Sequence, residues 1–395
     1  MKNTYRIPLL VKILIGIALG IIFGLFTPMW GARLCATFSS IFAQLLSFLV
    51  PLIIVGFVVP AIADIGRTAG KMLVVTVLLA YGMTLMSGMF SYLTSAALFP
   101  SVIAQEPGLA MVDNVGGTSV EPYIKLPIPP LMDIMTALIL SFMLGLGIAV
   151  NGCDSLRRGF NDFCKIVTSA INGVIIPLLP FYIFTIFVGM SVSGQISTVL
   201  MAFLKIILII FVMHVVLLLI QYCIAAPFAR RNPLSMLRTM LPAYFTALGT
   251  QSSAATIPVT LRQTVKMGVS EDVAGFTIPL CATIHLSGST LKIVACAMAL
   301  MIMQGVPYNF ALFAQFIAML GITMIAAPGV PGGAIMAALG VLASVLGFDD
   351  QQQALMIALY IAMDSFGTAC NVTGDGAIAA IIDRIFARRK TTQTA

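Results

Sequence analysis

The sequence predicts an all-α polytopic membrane protein. Sixty per cent of its 395 residues are hydrophobic, only 9% are charged, and the mean hydropathy is +1.07. A soluble domain cannot bury that much apolar surface. The apolar residues also come in runs of about 20 or more, the length of a spanning helix, and not in the short alternating segments of a barrel. About eight such runs fit the chain. Two further stretches are apolar at their ends but interrupted at their centres.

In order, Leu9–Pro28 is the first span, followed by Trp30, whose ring suits the membrane–water interface. A basic and then apolar N-terminus resembles a signal peptide. This run is too long for a signal core, and no small-x-small cleavage site follows, so it reads as a retained span. Ser39–Ile62, with Pro51 and Pro60, is the second span, and Met72–Leu98, with Tyr81, Thr84 and Ser87, is the third. Residues 100–129 are polar, rich in Gly and Pro, and carry Glu106, Asp113 and Glu121, so they form an outer loop. Pro130–Val150, Ile166–Val192 and Thr198–Ala226 are spans four to six. Leu234–Leu261 is too polar in its middle to face lipid and turns at Gly249–Thr256. Val273–Met303 is the seventh span, interrupted at Ser287-Gly288-Ser289. Tyr308–Leu346 is broken by the Gly/Pro-rich run Ala327–Gly333, and Ala354–Ile385 is the last span, before a basic tail.

Charge placement orients these segments. With the N-terminus inside, and with both interrupted segments entering and leaving on one side, all basic residues except Arg33, Lys125, Lys205 and Lys292 fall on the inner face. If either interrupted segment crossed fully, every later loop would flip. The net charge of +7 is spread over segment ends, so it is no nucleic-acid signal. The seven cysteines (35, 153, 164, 223, 281, 296 and 370) form neither a CxxC nor a Cys/His cluster and read as apolar filler.

The last span carries Asp364, Thr368, Asn371 and Asp375, which share one helix face by their spacing of four, three and four. A carboxylate at bilayer depth costs roughly 2.5–3.5 kcal/mol on insertion scales. Two on one stripe must face protein, water, an ion or a solute. Irregular backbone at membrane depth must likewise line a cavity or lie within protein. The interrupted tips, 250–256 and 327–333, are therefore expected to meet this stripe, which is the pattern of a secondary transporter.

Three motifs carry a resemblance. QSSAATIPVT at 251–260, GVPGGAIMAAL at 329–339 and NVTGDG at 371–376 resemble the two hairpin tips and the last-helix signature of the glutamate transporter family, the dicarboxylate/amino acid:cation symporters. The resemblance runs over nearly the whole chain in segment order. It implies eight transmembrane helices plus two re-entrant helical hairpins, an elevator-type transporter and a homotrimer in the bilayer of the cell inner membrane, with both termini cytoplasmic. The scaffold would comprise 1–70 and 130–193. The transport domain would comprise 71–99 and 194–386, with an extracellular loop at 100–129 and a cytoplasmic tail at 387–395. The substrate residues it implies are Gln251, Ser252, Ser253, Val330, Pro331, Gly332, Asp364, Gly367, Thr368 and Asn371. Among these, Asp364 takes a substrate amino group and Asn371 a carboxylate. Tyr81, Thr84, Thr283, Asn371 and Asp375 match cation ligands, for transported sodium and/or protons and with no cofactor.

Two departures from that pattern are informative. Acidic-substrate members carry an arginine where this chain has Gly367 or Gln251, so the resemblance implies a small neutral amino acid, with Gly367 leaving room for its side chain. The alternative is a dicarboxylate or acidic amino acid with Lys292 as counter-ion. Where the family reads Asn-Met-Asp-Gly-Thr, this chain reads His285-Leu286-Ser287-Gly288-Ser289. His285, Ser289 and Lys292 fall on one helical face by their spacing (i, i+4, i+7), which makes His285, Ser287 and Lys292 candidates for cation coupling. His214 reads as structural. A channel is disfavoured by two capped hairpins. An enzyme is disfavoured by the lack of HExxH, GxSxG or a metal-spaced His pair.

Overall fold

The computed structural model describes residues 9–67, 71–103, 120–124, 126–192, 196–325, 327 and 332–390, and every regular element among them is helical. The first seven helices are α1 (Leu9–Phe26), α2 (Met29–Arg67), α3 (Lys71–Ile103), α4 (Ile134–Asn151), α5 (Asp154–Ala170), α6 (Ile176–Val192) and α7 (Ile196–Ala229). Then come α8 (Pro233–Thr250), α9 (Ser253–Lys266), α10 (Glu271–Ile284), α11 (Ser287–Met303), α12 (Phe310–Ile325), α13 (Gly333–Leu346), α14 (Asp350–Ala362) and α15 (Asp364–Lys390). Among the described residues, five helical stretches are long and apolar enough to cross a membrane: Met29–Ala63, Lys71–Ile103, Asp154–Val192, Phe203–Ala229 and Glu271–Met303. The pair α14–α15, bent by 64°, makes a sixth if counted as one broken span, and α1, α4, α12 and α13 contain shorter apolar helices.

Local chemistry sets the boundaries. Asp133 accepts the Thr136 N–H at the start of α4, and Gly152, at φ 65°, ends it in the left-handed region that glycine adopts without strain. Asn232 caps α8 from the Leu234 and Ser235 N–H groups, with Pro233 at its first position. Asp349 and Gln352 form a reciprocal capping box on α14. Residues Ile171–Ile175 form a π turn between α5 and α6, directly before Pro177 and Pro180, so the chain runs on as one helix where proline removes donors.

Helix α1 lies along α6, and α2 packs against α4, α5 and α6. The α1–α6 contact is close because Gly16 and Gly20 present no side chain: a Cβ at either would stand 2.6 Å from the Pro180 or Phe184 carbonyl oxygen. Helix α3 packs on α11 and α12, with Ser87 and Ser91 donating to the Ser287 and Leu291 carbonyls at 2.6 and 2.7 Å. Helix α15 is enclosed by α7, α8, α9, α10 and α11.

The sequence-based boundaries need three adjustments. Trp30 sits in the first turn of α2, exposed. The seventh span breaks at His285–Leu286, before the Ser-Gly-Ser run, because His285 adopts an extended φ/ψ of −104°/99°. The last span is two helices, not one: the backbone leaves the helix at Met363, and the polar stripe belongs wholly to α15.

Gly20→Val should place side-chain atoms against the α6 main chain and destabilise the protein by about 1–3 kcal/mol, the usual cost of overpacking. Gly147→Ala, with nothing within 4 Å of its Cβ position, should be neutral or slightly stabilising. Thermal unfolding of the two variants in detergent tests the contrast.

Candidate functional site

The bend at Met363 places Asp364 in the first turn of α15, where unsatisfied N–H groups favour a carboxylate. Its Oδ2 accepts the Gly332 N–H at 2.8 Å, and Gly332 is the left-handed residue (φ 75°) that opens α13. Its Oδ1 lies 2.9 Å from the Lys292 Nζ of α11, with side-chain exposures of 4% and 0% respectively. A buried charge needs a partner of this kind. The ammonium also stands 3.4 Å from the centre of the Tyr360 ring, a cation–π contact, and 3.5 Å from the Tyr360 and Met363 carbonyls. At Gly367, a Cβ would meet this same Nζ at 2.7 Å. The space expected to admit a solute side chain therefore holds the Lys292 ammonium.

The second carboxylate, Asp375, is buried about three turns further along α15. Its Oδ1 lies 2.9 Å from His285 Nδ1. Gln221 of α7 spans this corner: its Nε2 donates to Ser287 Oγ at 3.0 Å and approaches His285 Nε2 at 3.4 Å. Sequence reading missed Gln221. The available signal was a lone amide in an apolar span, on the same helix face as His214 seven residues earlier. Asp375 Oδ2, Gln221 Oε1 and Thr373 Oγ1 are buried without a hydrogen-bond partner.

Between the two carboxylates, Asn371 is bound to the break in the seventh span. Its Oδ1 accepts from the Gly288 and Ser289 N–H groups at 2.7 and 3.3 Å, and its Nδ2 donates to Ser289 Oγ at 3.1 Å. The Ser289 and Tyr360 hydroxyls share a hydrogen bond of 3.0 Å, linking this group to the Lys292 site. His214 does more than fill space: its Nε2 donates to the Gly288 carbonyl at 3.0 Å and holds the break from the α7 side. Because the helix ends at Ile284, the single face expected for His285, Ser289 and Lys292 does not exist. The His285 ring serves Asp375 and Lys292 serves Asp364.

At the first interrupted tip, Gln251 is left-handed (φ 53°) and its Nε2 donates to Ser365 Oγ at 2.8 Å. Ser252 caps α9 from the Ala255 N–H, and Ser253 is buried. Thr368 is buried on the α15 stripe. Tyr81 and Thr84 donate to the Ala318 and Ala80 carbonyls, and Thr283 is exposed and donates to its own helix at Leu280. These three hydroxyls are thus joined to main chain and not to Asp375. Val330 and Pro331 lie outside the described residues. Among the described residues, no three His, Cys, Asp or Glu side chains gather as a metal-binding cluster.

Both interrupted segments therefore bring a tip to the start of α15, and the profile of the sodium:dicarboxylate symporter family matches residues 9–385. The chain belongs to this family. Serine/threonine transporter SstT of Acinetobacter baumannii, from strains AYE and AB0057, is 26% identical to it over 363 residues, 88% of this chain and 89% of the relative. The protein is a multi-pass, cation-coupled membrane transporter and not an enzyme.

Asp364→Asn should strand the Lys292 ammonium in the interior and destabilise the fold by about 3–5 kcal/mol, whereas Asp364→Asn with Lys292→Met should recover most of that loss. Unfolding midpoints of the single and double variants decide whether the pair behaves as a unit.

Proposed function

We propose that the protein is a symporter that moves a small neutral amino acid across the cell inner membrane by an elevator movement, coupled to sodium and/or protons. The observation behind the neutral cargo is the cancelled charge of the site. Lys292 fills the place beside Gly367, but its charge is matched by Asp364, so no unpaired cation awaits a side-chain carboxylate. The name of the serine/threonine transporters that resemble the chain agrees with this reading. The division into scaffold and moving part is supported by packing: α1, α2, α4 and α6 lie mainly against one another, while the helices around α15 form a second group. A homotrimer with cytoplasmic termini rests on the motif resemblance and the inward bias of basic residues.

For coupling, Asp375 Oδ2, Gln221 Oε1 and Thr373 Oγ1 supply buried oxygens of the kind a hard cation takes, and Gln221 Oε1 lies 2.6 Å from the Cβ position at Gly374, between the other two residues. His285 already holds Oδ1, which leaves fewer ligands for sodium than a site built from Asn and Asp would offer. A second reading, a dicarboxylate or acidic amino acid carrier, is favoured by one observation: Lys292 brings a cation to the very place where an arginine at position 367 would begin.

Counterflow in proteoliposomes, with sodium and pH set independently, tests the cargo. Exchange of serine, threonine or alanine without exchange of aspartate or succinate is the expected result. Strictly sodium-dependent succinate exchange would establish the second reading instead. In the same assay His285→Asn, which frees Asp375 Oδ1 and adds an amide oxygen, should make uptake more steeply sodium-dependent at fixed pH.

A further inference from the structure

We infer that Gln221 is a positioning residue for cation coupling: it holds His285 as the neutral tautomer protonated on Nδ1, which leaves the negative charge of Asp375 to the transported cation. This rests on the reading above that a cation is taken at the Asp375 corner. The starting point is an amide in an apolar span. Gln221 lies on α7 and is buried. A polar group at that depth needs partners. Both partners of its amide nitrogen belong to the α10–α11 break. Ser287 Oγ accepts from Nε2 at 3.0 Å, and His285 Nε2 stands 3.4 Å from the same nitrogen.

The two faces of the imidazole then fix its protons. His285 Nδ1 lies 2.9 Å from Asp375 Oδ1, and an ionised carboxylate only accepts, so Nδ1 carries a proton. On the other side Nε2 meets an amide NH2 group. Two N–H groups cannot point at each other, so Nε2 is bare and the ring is neutral. Reversing the amide would set Oε1 against Nε2 and call for a ring protonated on both nitrogens. The orientation of one amide thus sets the charge of the corner. His285 gives Asp375 a hydrogen bond without a positive charge, and Asp375 Oδ2 stays buried without a hydrogen-bond partner. Outer partners that fix a ring in this way commonly change metal affinity by about 10–100-fold when removed.

Glycine at 374 makes room for the arrangement. A Cβ there would stand 2.6 Å from Gln221 Oε1 and 2.8 Å from His285 Cε1. The chain has only one other histidine, which gives an internal contrast. His214, seven residues before Gln221, donates from Nε2 to the Gly288 carbonyl at 3.0 Å. The two histidines therefore meet the same break with protons on opposite ring nitrogens.

The test is two-bond 1H–15N correlation NMR of the full-length protein labelled in its histidine rings, with His285→Asn identifying the His285 signals. Such spectra separate the two neutral tautomers from the doubly protonated ring. Wild-type His285 should carry its proton on Nδ1 alone, and His214 should carry one on Nε2. Gln221→Met keeps the bulk of the side chain and removes the amide. In this variant His285 should gain a proton on Nε2, and the sodium needed for half-maximal serine counterflow should rise about 10-fold. Half-saturation by serine in saturating sodium should not change. A glutamine that only fills space would leave the His285 signals of the variant as in the wild type, which would overturn the inference. Wild-type His285 protonated on Nε2, alone or with Nδ1, would overturn it whether or not the variant folds. Wild-type counterflow indifferent to sodium would instead overturn the coupling reading on which the inference rests, and the ring spectrum tells the two failures apart.

Discussion

Two carboxylates buried on one helix, each answered by a nitrogen base from the same broken span, set the terms for the rest of the molecule. Asp364 and Asp375 could not remain in an apolar bundle alone, since isolated buried charge costs far more than any single packing contact returns. The break at His285–Leu286 turns the His285 ring toward Asp375, and the helix that restarts at Ser287 aims Lys292 at Asp364. An unbroken helix would have set both bases on one line. The break in turn exposes main-chain groups within the bundle, and Asn371, His214 and Ser87 take them up at Gly288, Ser289 and Ser287. Glycines at 288 and 367 let α11 and α15 approach closely enough for this, as a Cβ at Gly288 would stand 2.6 Å from the Gly367 carbonyl.

Gly367 and Lys292 look like separate departures in a linear reading, one losing a cation and one gaining it. In three dimensions they are a single exchange. The glycine empties a volume on α15, and the lysine, coming from α11, fills it with its last three side-chain atoms. Lysine suits this route: its flexible stem threads between packed helices, and its compact charge accepts both the Tyr360 face and a carboxylate. Neither substitution is interpretable without the other.

Much of the fold was legible because bilayer physics is severe. Spans of adequate length, the two interrupted segments and the polar stripe of α15 all follow from counting apolar residues and asking where a carboxylate can go. The family followed from three short motifs. The bend at Met363 was less legible, because Ala-Met-Asp carries no proline or glycine to announce it, and the break near Gly288 was legible but lies two residues earlier, at His285–Leu286. Tertiary hydrogen bonds decide both. The partners of the charged groups could not be read either. Gln221 contributes to the Asp375 corner from a helix 154 positions earlier than Asp375 in the chain (375 − 221 = 154), and no periodicity links them.

The internal bases also bear on what coupling to a cation accomplishes. A carboxylate carried through hydrocarbon without a partner bears its full desolvation cost, and a bound cation relieves it. Here Lys292 relieves Asp364 from within the chain, because the two charges belong to the same bundle of packed helices. The neutralisation that a mobile ion would perform at that position is built into the chain. Asp375 is different. Its Oδ1 is held by His285, but its Oδ2 is buried without a hydrogen-bond partner. On the proposed reading, the remaining demand for an external cation falls at the Asp375 corner, where one carboxylate oxygen is left without a partner.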